Sequence, residues 1–167
     1  MRVTIFSSTS NNNLKLAETL KSMLSEKSVE VELFDLEKEE LPLYSPTMEG
    51  KGVPELAKKY ADSLASSQGL ILVAPEYNGS IPPNVTNMVA WVSRTGDDWR
   101  AAFNQKFAIV ATHSGGGGLK VVEAMRRQLE HVGSTVLARS IVTNYSKPAK
   151  DESLHQILDQ FCSYLKL

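Results

Sequence analysis

Gly69-Leu70-Ile71-Leu72-Val73-Ala74-Pro75-Glu76-Tyr77-Asn78-Gly79-Ser80-Ile81-Pro82-Pro83-Asn84 joins the most strand-like run of the chain to its most specialised loop. Gly69 to Ala74 is apolar throughout, as a central parallel strand covered on both faces must be. The stretch from Ala74 to Asn84 then gathers three prolines, one glycine, two asparagines and a tyrosine. A chain reversal needs one or two such residues. The excess predicts a loop that wraps a planar ligand, followed by a helix that begins near Asn84 and carries Val85, Met88, Val89 and Val92 on one face.

Working outward, the same alternation recurs. Val3-Thr4-Ile5-Phe6 reads as a short buried strand, and Leu16, Ala17, Leu20, Met23 and Leu24 then keep helical spacing. Val29 to Asp35 alternates with period two at first, which predicts a strand with one more exposed face, at a sheet edge. Residues 37–52 read as a long irregular connection. Val53, Leu56, Ala57, Tyr60, Ala61 and Leu64 restore a helix, with Pro54 suited to its first turn. Lys106 to Thr112 is a further apolar strand, followed by a helix through Val122, Met125, Leu129 and Val132 that Gly133 ends. Thr135-Val136-Leu137, with Ile141-Val142, supplies a fifth strand, and Leu154, Ile157, Leu158, Phe161 and Leu165 mark the last amphipathic helix. Strands alternating with helices mean βαβ units. The expectation is an α/β fold of flavodoxin type: a doubly wound five-stranded parallel sheet, order 2-1-3-4-5, in one domain across residues 1–167.

Composition removes whole classes of function. A formal net charge of -1 argues against a nucleic-acid surface and a polybasic membrane contact, and also against a strongly acidic electron carrier. No apolar run approaches the ~20 residues needed to span a bilayer. The single Cys162 excludes an internal disulfide framework and reads as a buried thiol in the last helix. With a strand starting at Arg2 and no room before it for a signal peptide, the chain is expected to be soluble and cytoplasmic.

In a doubly wound sheet, ligands bind at the carboxyl ends of the strands. Three connections of unusual composition follow strands 1, 3 and 4, so all three fall on that edge and beside one another. Ser7 to Asn13 is an unbroken hydroxyl and amide run leading into a helix start, where free N–H groups and the helix dipole suit a phosphate. Ser8, Ser10, Asn12 and Asn13 are the chosen donors; simple helix capping would account for one or two of them. His113-Ser114 leads into Gly115-Gly116-Gly117-Gly118, whose bare backbone can approach a flat ligand closely. Neither a P-loop nor Gly-x-Gly-x-x-Gly is present, since Lys120 stands where the last glycine of the latter would be. His131 and His155 are isolated on helices, and no grouping has metal-ligand spacing. Glu37-Lys38-Glu39-Glu40 reads as a solvated charged segment. Trp91 and Trp99 read as core or subunit-contact residues, with Trp99 the better interface candidate.

Pro75-Glu76-Tyr77-Asn78-Gly79-Ser80-Ile81-Pro82 resembles the PEYN-x-S-x-P loop of the NADPH-dependent FMN reductase family, which has the flavodoxin-like fold. The serine-rich first loop and Ser114 to Gly118 are similar to that family's phosphate and glycine-rich loops, in the same order, so the resemblance spans roughly residues 2–140. It implies bound FMN, with Ser8, Ser10, Asn12 and Asn13 at the phosphate and Pro75, Glu76, Tyr77 and Asn78 along the isoalloxazine. Ser114, Gly115, Gly116 and Gly117 would close the ring's other border. It further implies NADPH or NADH as co-substrate, ping-pong transfer to a small acceptor (quinone, azo compound, metal oxyanion or free flavin), and a homodimer or homotetramer in which Tyr44 could reach a neighbour. No side chain is assigned as a catalytic acid or base, because hydride transfer belongs to the flavin.

Four positions depart from the family pattern. Ser7 and Ser10 stand where it has glycine and arginine, Pro83 where it has glycine, and Thr86 where it has lysine. Two other readings share the fold: a flavodoxin-like electron carrier without nucleotide turnover, and an apo binding or regulatory domain.

Overall fold

The computed structural model describes residues 1–166. In chain order the elements are β1 (Arg2–Ser7), α1 (Asn12–Glu26), β2 (Glu30–Asp35), α2 (Pro46–Glu49), α3 (Glu55–Ala65), β3 (Gly69–Val73), α4 (Pro83–Val92), β4 (Phe107–His113), α5 (Leu119–His131), β5 (Thr135–Val136), β6 (Ile141–Thr143) and α6 (Asp151–Tyr164). The sheet is parallel, in the order β2-β1-β3-β4-β5, with β6 also paired to β4. β3 runs at its centre and is buried at every position, as its unbroken apolar sequence requires. β2 lies at the edge, and its burial is correspondingly partial.

Alternation along the strands divides the core in two. Val3, Ile5, Ile71, Val73, Ile109 and Ala111 pack against α1 and α6. Phe6, Leu70, Leu72, Ala108 and Val110 pack against α3, α4 and α5. On that second face Phe6, Phe34 and Tyr60 form a cluster with ring centroids 4.8–5.4 Å apart, joining β1 and β2 to α3. No helix among the described residues is long and apolar enough to cross a membrane.

Two details differ from the sequence expectation. The fifth strand position is divided: β5 pairs with Phe107 and Ala108, β6 with Ala111 to His113, and the backbone between them leaves the ladder. Arg126 of α5 explains how that break is tolerated, because its guanidinium donates to the carbonyls of Val136, Leu137 and Ala138 and to Ser140 Oγ. Carbonyls that lose strand partners thus gain a charged donor. The connection after β2 contains a short helix, α2, capped by Ser45 Oγ accepting from the Met48 N–H. Tyr44, in the same connection, packs within its own chain: its ring meets buried Trp91 edge-on and its hydroxyl donates to Glu49.

Candidate functional site

Every strand that feeds a specialised loop points the same way, so the loops after β1, β3 and β4 share one end of the sheet, and side-chain hydrogen bonds fasten them together. Ser8 Oγ donates to Asn84 Oδ1 at 2.8 Å, and Asn84 Nδ2 returns a bond to the Ser8 carbonyl at 2.7 Å. The Glu76 N–H donates to Ser114 Oγ at 2.9 Å, joining the second loop to the third. Asn13 clamps the end of β4, with Nδ2 on the His113 carbonyl and Oδ1 accepting the His113 N–H. Ser8, Asn13 and Ser114 are each almost wholly buried. A buried polar group must find a partner, and here those partners make three loops into one rim.

In the first loop the predicted phosphate donors are mostly committed to the protein. The one hydroxyl proton of Ser8 goes to Asn84. Ser10 Oγ donates to Asp35 Oδ2 and its N–H to Glu37 Oε2. Asn13 is held by His113, and Asn12 Nδ2 reaches the hydroxyl of Tyr145 at 3.3 Å. The backbone is freer: Asn11, at the head of α1, makes no side-chain cap, and the N–H groups of Asn11, Asn12 and Asn13 have no backbone acceptor among the described residues. An uncapped helix start with its N–H groups open is what an anion requires. Side chains shape this loop, and its backbone is what remains to bind.

The second loop is a two-residue hairpin. Tyr77 and Ser80 exchange both backbone hydrogen bonds at 3.0 Å, and Asn78 and Gly79 between them have φ of 50° and 77°. Positive φ at both central positions selects Asn-Gly, which explains that dipeptide. Pro82 and Pro83 set the entry into α4, with Pro83 inside its first turn, where a missing N–H costs nothing. The hairpin holds Tyr77 half exposed at the rim. In the third loop a Cβ on Gly115, Gly116 or Gly117 would meet nothing within 4 Å, whereas one on Gly118 would lie 2.8 Å from Thr112 Cγ2. Gly118 is thus required by the protein's own packing and by its φ of 69°. The other three face open space.

Two residues that the sequence reading left outside the site, Glu37 and Tyr145, enter it, and two that it set in or beside the loops, Asn84 and His113, gain contacts it did not assign. Glu37 lies exposed, as its charged segment predicts, and its carboxylate also accepts from the Ser10 N–H. Asn84 closes the bond pair with Ser8. His113 donates from Nδ1 to Thr143 Oγ1, because the threonine's own proton goes to the Thr112 carbonyl; that leaves Nε2 a buried acceptor with no partner. Tyr145, after β6, stands edge-on to His113 with centroids 5.2 Å apart. Each of these contacts joins residues far apart in sequence, and no local pattern marks them.

These features define a class: a doubly wound α/β fold whose carboxyl-edge loops offer open backbone N–H groups at a helix start, three bare glycines and an exposed aromatic. A phosphorylated planar ligand fits all three. The sequence matches the NADPH-dependent FMN reductase family over residues 1–147, and the chain belongs to that family. Membership implies FMN as the bound group. The chain is 26% identical to a quinone reductase of Escherichia coli K12 over 125 residues, covering 70% of this chain and 65% of that protein. It is 28% identical to a quinone reductase of Pseudomonas putida, covering 93% of this chain and 88% of the other. The chain thus spans a little under two thirds of the Escherichia coli relative it matches. Among solved structures, a flavoenzyme NAD(P)H:(acceptor) oxidoreductase from Paracoccus denitrificans superimposes with a TM-score of 0.79 at 21% identity, covering 99% of this chain and 96% of that one.

Proposed function

We propose that this protein, one FMN-binding domain, is an oxidoreductase that takes electrons from NAD(P)H and delivers them to a small acceptor. A quinone is the first choice, since quinone reductases are among its relatives; azo compounds, metal oxyanions and free flavin share the chemistry. The observation that carries this reading is the open face at Gly115 to Gly117, beside half-exposed Tyr77 and joined by hydrogen bonds to the uncapped start of α1. When bound there, FMN would supply the redox chemistry, accepting a hydride from the nucleotide and releasing electrons to the acceptor.

The chain's own part is orientation. The N–H groups of Asn11, Asn12 and Asn13 would hold the phosphate, with Ser8, Ser10 and the Asn13 side chain keeping the loop in shape. Pro75, Glu76, Tyr77 and Asn78 would flank the ring, with Tyr77 as its aromatic border. The hydrogen bond between the Glu76 N–H and Ser114 sets the distance between that border and the glycines. Because the glycine side is open, nucleotide and acceptor would use one face in turn, which supports a ping-pong cycle. The protein would act in the cytoplasm as a homodimer or homotetramer.

The deciding experiment is spectroscopic. The purified protein should be yellow, or become so on reconstitution with FMN, and NADPH or NADH should bleach the flavin band until a quinone restores it. A colourless protein that cannot take up FMN would overturn the reading. A yellow protein that neither nucleotide reduces would make it an electron carrier.

A further inference from the structure

Beyond the glycine-rich loop lies a groove of about 430 Å³, formed between the start of α5, β6 and the start of α6. Its floor is apolar, from Ile141, Val142, Leu154 and Ile157. Its rim carries Arg139, Lys147 and Lys150, all exposed. Among the described residues no carboxylate lines the groove, although Asp151 and Glu152 follow Lys150 directly, and none of the three cations is in an ion pair. In a chain with a net charge of -1, three unpaired cations around one apolar trough form a marked local excess. Arg139 is pre-set there: its guanidinium donates to Ser153 Oγ at 3.1 Å and to Gln156 Oε1 at 3.4 Å, which leaves three of its five N–H groups for a ligand.

The groove also has an address. Gly117 belongs to its wall and to the bare glycine run of the candidate ring site, and Leu119 forms an exposed apolar lip between them. A ligand with one end over Gly115 to Gly117 has its continuation directed into a trough that is apolar below and cationic above. Such a trough suits a nucleoside carrying phosphates: the base on the floor, the phosphates on the rim.

We propose that this groove binds the adenosine-phosphate half of the pyridine dinucleotide, and so makes NADPH the preferred donor. The inference rests on the proposed function and adds to it the place where the co-substrate is held. A nicotinamide approaching a flavin has little charge of its own to anchor it, so the remote half of the molecule must supply the binding energy. A pyrophosphate bridge carries two negative charges, and three cations leave one to face a 2′-phosphate. NADH lacks that group.

The test titrates adenosine 2′,5′-bisphosphate, which carries no nicotinamide, into the FMN-loaded protein and the apoprotein by calorimetry. The compound should bind both, and should compete with NADPH but not with the acceptor in steady-state assays. The double substitution Arg139→Ala and Lys147→Ala should weaken its affinity roughly ten-fold or more, by loss of charge-assisted bonds, and should raise the KM for NADPH more than for NADH. FMN content and the thermal midpoint should stay as in the parent, since both side chains are exposed. Unchanged affinity in the variant would overturn the proposal, as would inorganic phosphate binding as tightly as the bisphosphate, which would mean a plain anion site. Failure of the proposed function would be seen separately, as a protein that takes up no FMN while the groove still binds the bisphosphate.

Discussion

Ser8 and Asn84, far apart in sequence, bond each other twice and in opposite senses: Ser8 Oγ to Asn84 Oδ1 at 2.8 Å, and Asn84 Nδ2 to the Ser8 carbonyl at 2.7 Å. One residue follows β1 and the other opens α4, so this pair sets the separation of the first and second loops. Asn84→Ala removes both bonds and strands a buried hydroxyl. The expected loss is about 1–3 kcal/mol of stability, read from urea denaturation. FMN affinity should fall as well, measured by fluorescence quenching, because the phosphate loop loses its tie. Wild-type affinity in a destabilised variant would show that the pair serves the fold alone.

The glycine-rich loop makes two opposite expectations within three residues. At Gly118 a side chain meets Thr112 Cγ2 at 2.8 Å on a backbone with φ of 69°, so Gly118→Ala should lower the thermal midpoint and cost about 1–3 kcal/mol. At Gly116 there is space for a Cβ within the protein. Gly116→Ala should therefore leave the midpoint near wild type while weakening FMN binding or nucleotide turnover. Equal effects at the two positions would contradict a ligand face.

Glu37 places a carboxylate on the Ser10 N–H at 2.6 Å, beside the same loop that an anion would occupy. A phosphate bound nearby meets that like charge, which Lys38, 3.7 Å from Asp35, offsets only in part. Glu37→Gln keeps an acceptor for Ser10 and removes the charge. FMN should bind more tightly by roughly three- to ten-fold at low salt, with the gain shrinking as salt rises. Weaker binding in the variant would mean that Glu37 orders the loop more than it repels the ligand.

Lys106 sits largely buried at the start of β4, its ammonium donating to the Ser67 carbonyl at 2.7 Å. Burial lowers its pKa below the ordinary 10.5. Between the lowered folded value and 10.5 the unfolded chain binds the extra proton, so this group makes stability rise with pH across that window. Tyr60 acts in the other sense: burial, then the nearby Glu39 carboxylate, raise its phenol above 10.0, and that contribution is lost as pH rises past 10.0. Lys106→Met should stabilise the protein at neutral pH and flatten the rise toward alkaline pH. Urea denaturation of both proteins from neutral pH up to the onset of tyrosine ionisation checks this; parallel curves would count against it.

Much of the loop structure around the candidate site was legible because its signals are local. Asn78-Gly79 announces a tight hairpin through the φ values its residues tolerate, and the gathered glycines and serines mark loops by composition. The sheet order followed from alternating strands and helices. What could not be read was which atoms of the site residues are free. Ser8, Ser10 and Asn13 have the right chemistry for a phosphate, but their side chains are engaged by Asn84, Asp35 and His113 from three other segments. Glu37 is exposed as its segment suggests, but nothing beside it in sequence reveals its bond to Ser10.

The sequence by itself determined the doubly wound fold, the three loops on one edge and the family, since periodicity and backbone preference act over a few residues and repeat along the chain. Tertiary structure alone decided how the loops are fastened to one another, that the N–H groups of Asn11 to Asn13 are left without a backbone acceptor, and how β5 and β6 divide one strand position. It also decided that Arg139, Lys147 and Lys150 share a groove. Hydrogen bonds and charge fields depend on distance in space, and only the folded chain brings distant residues within a few ångströms.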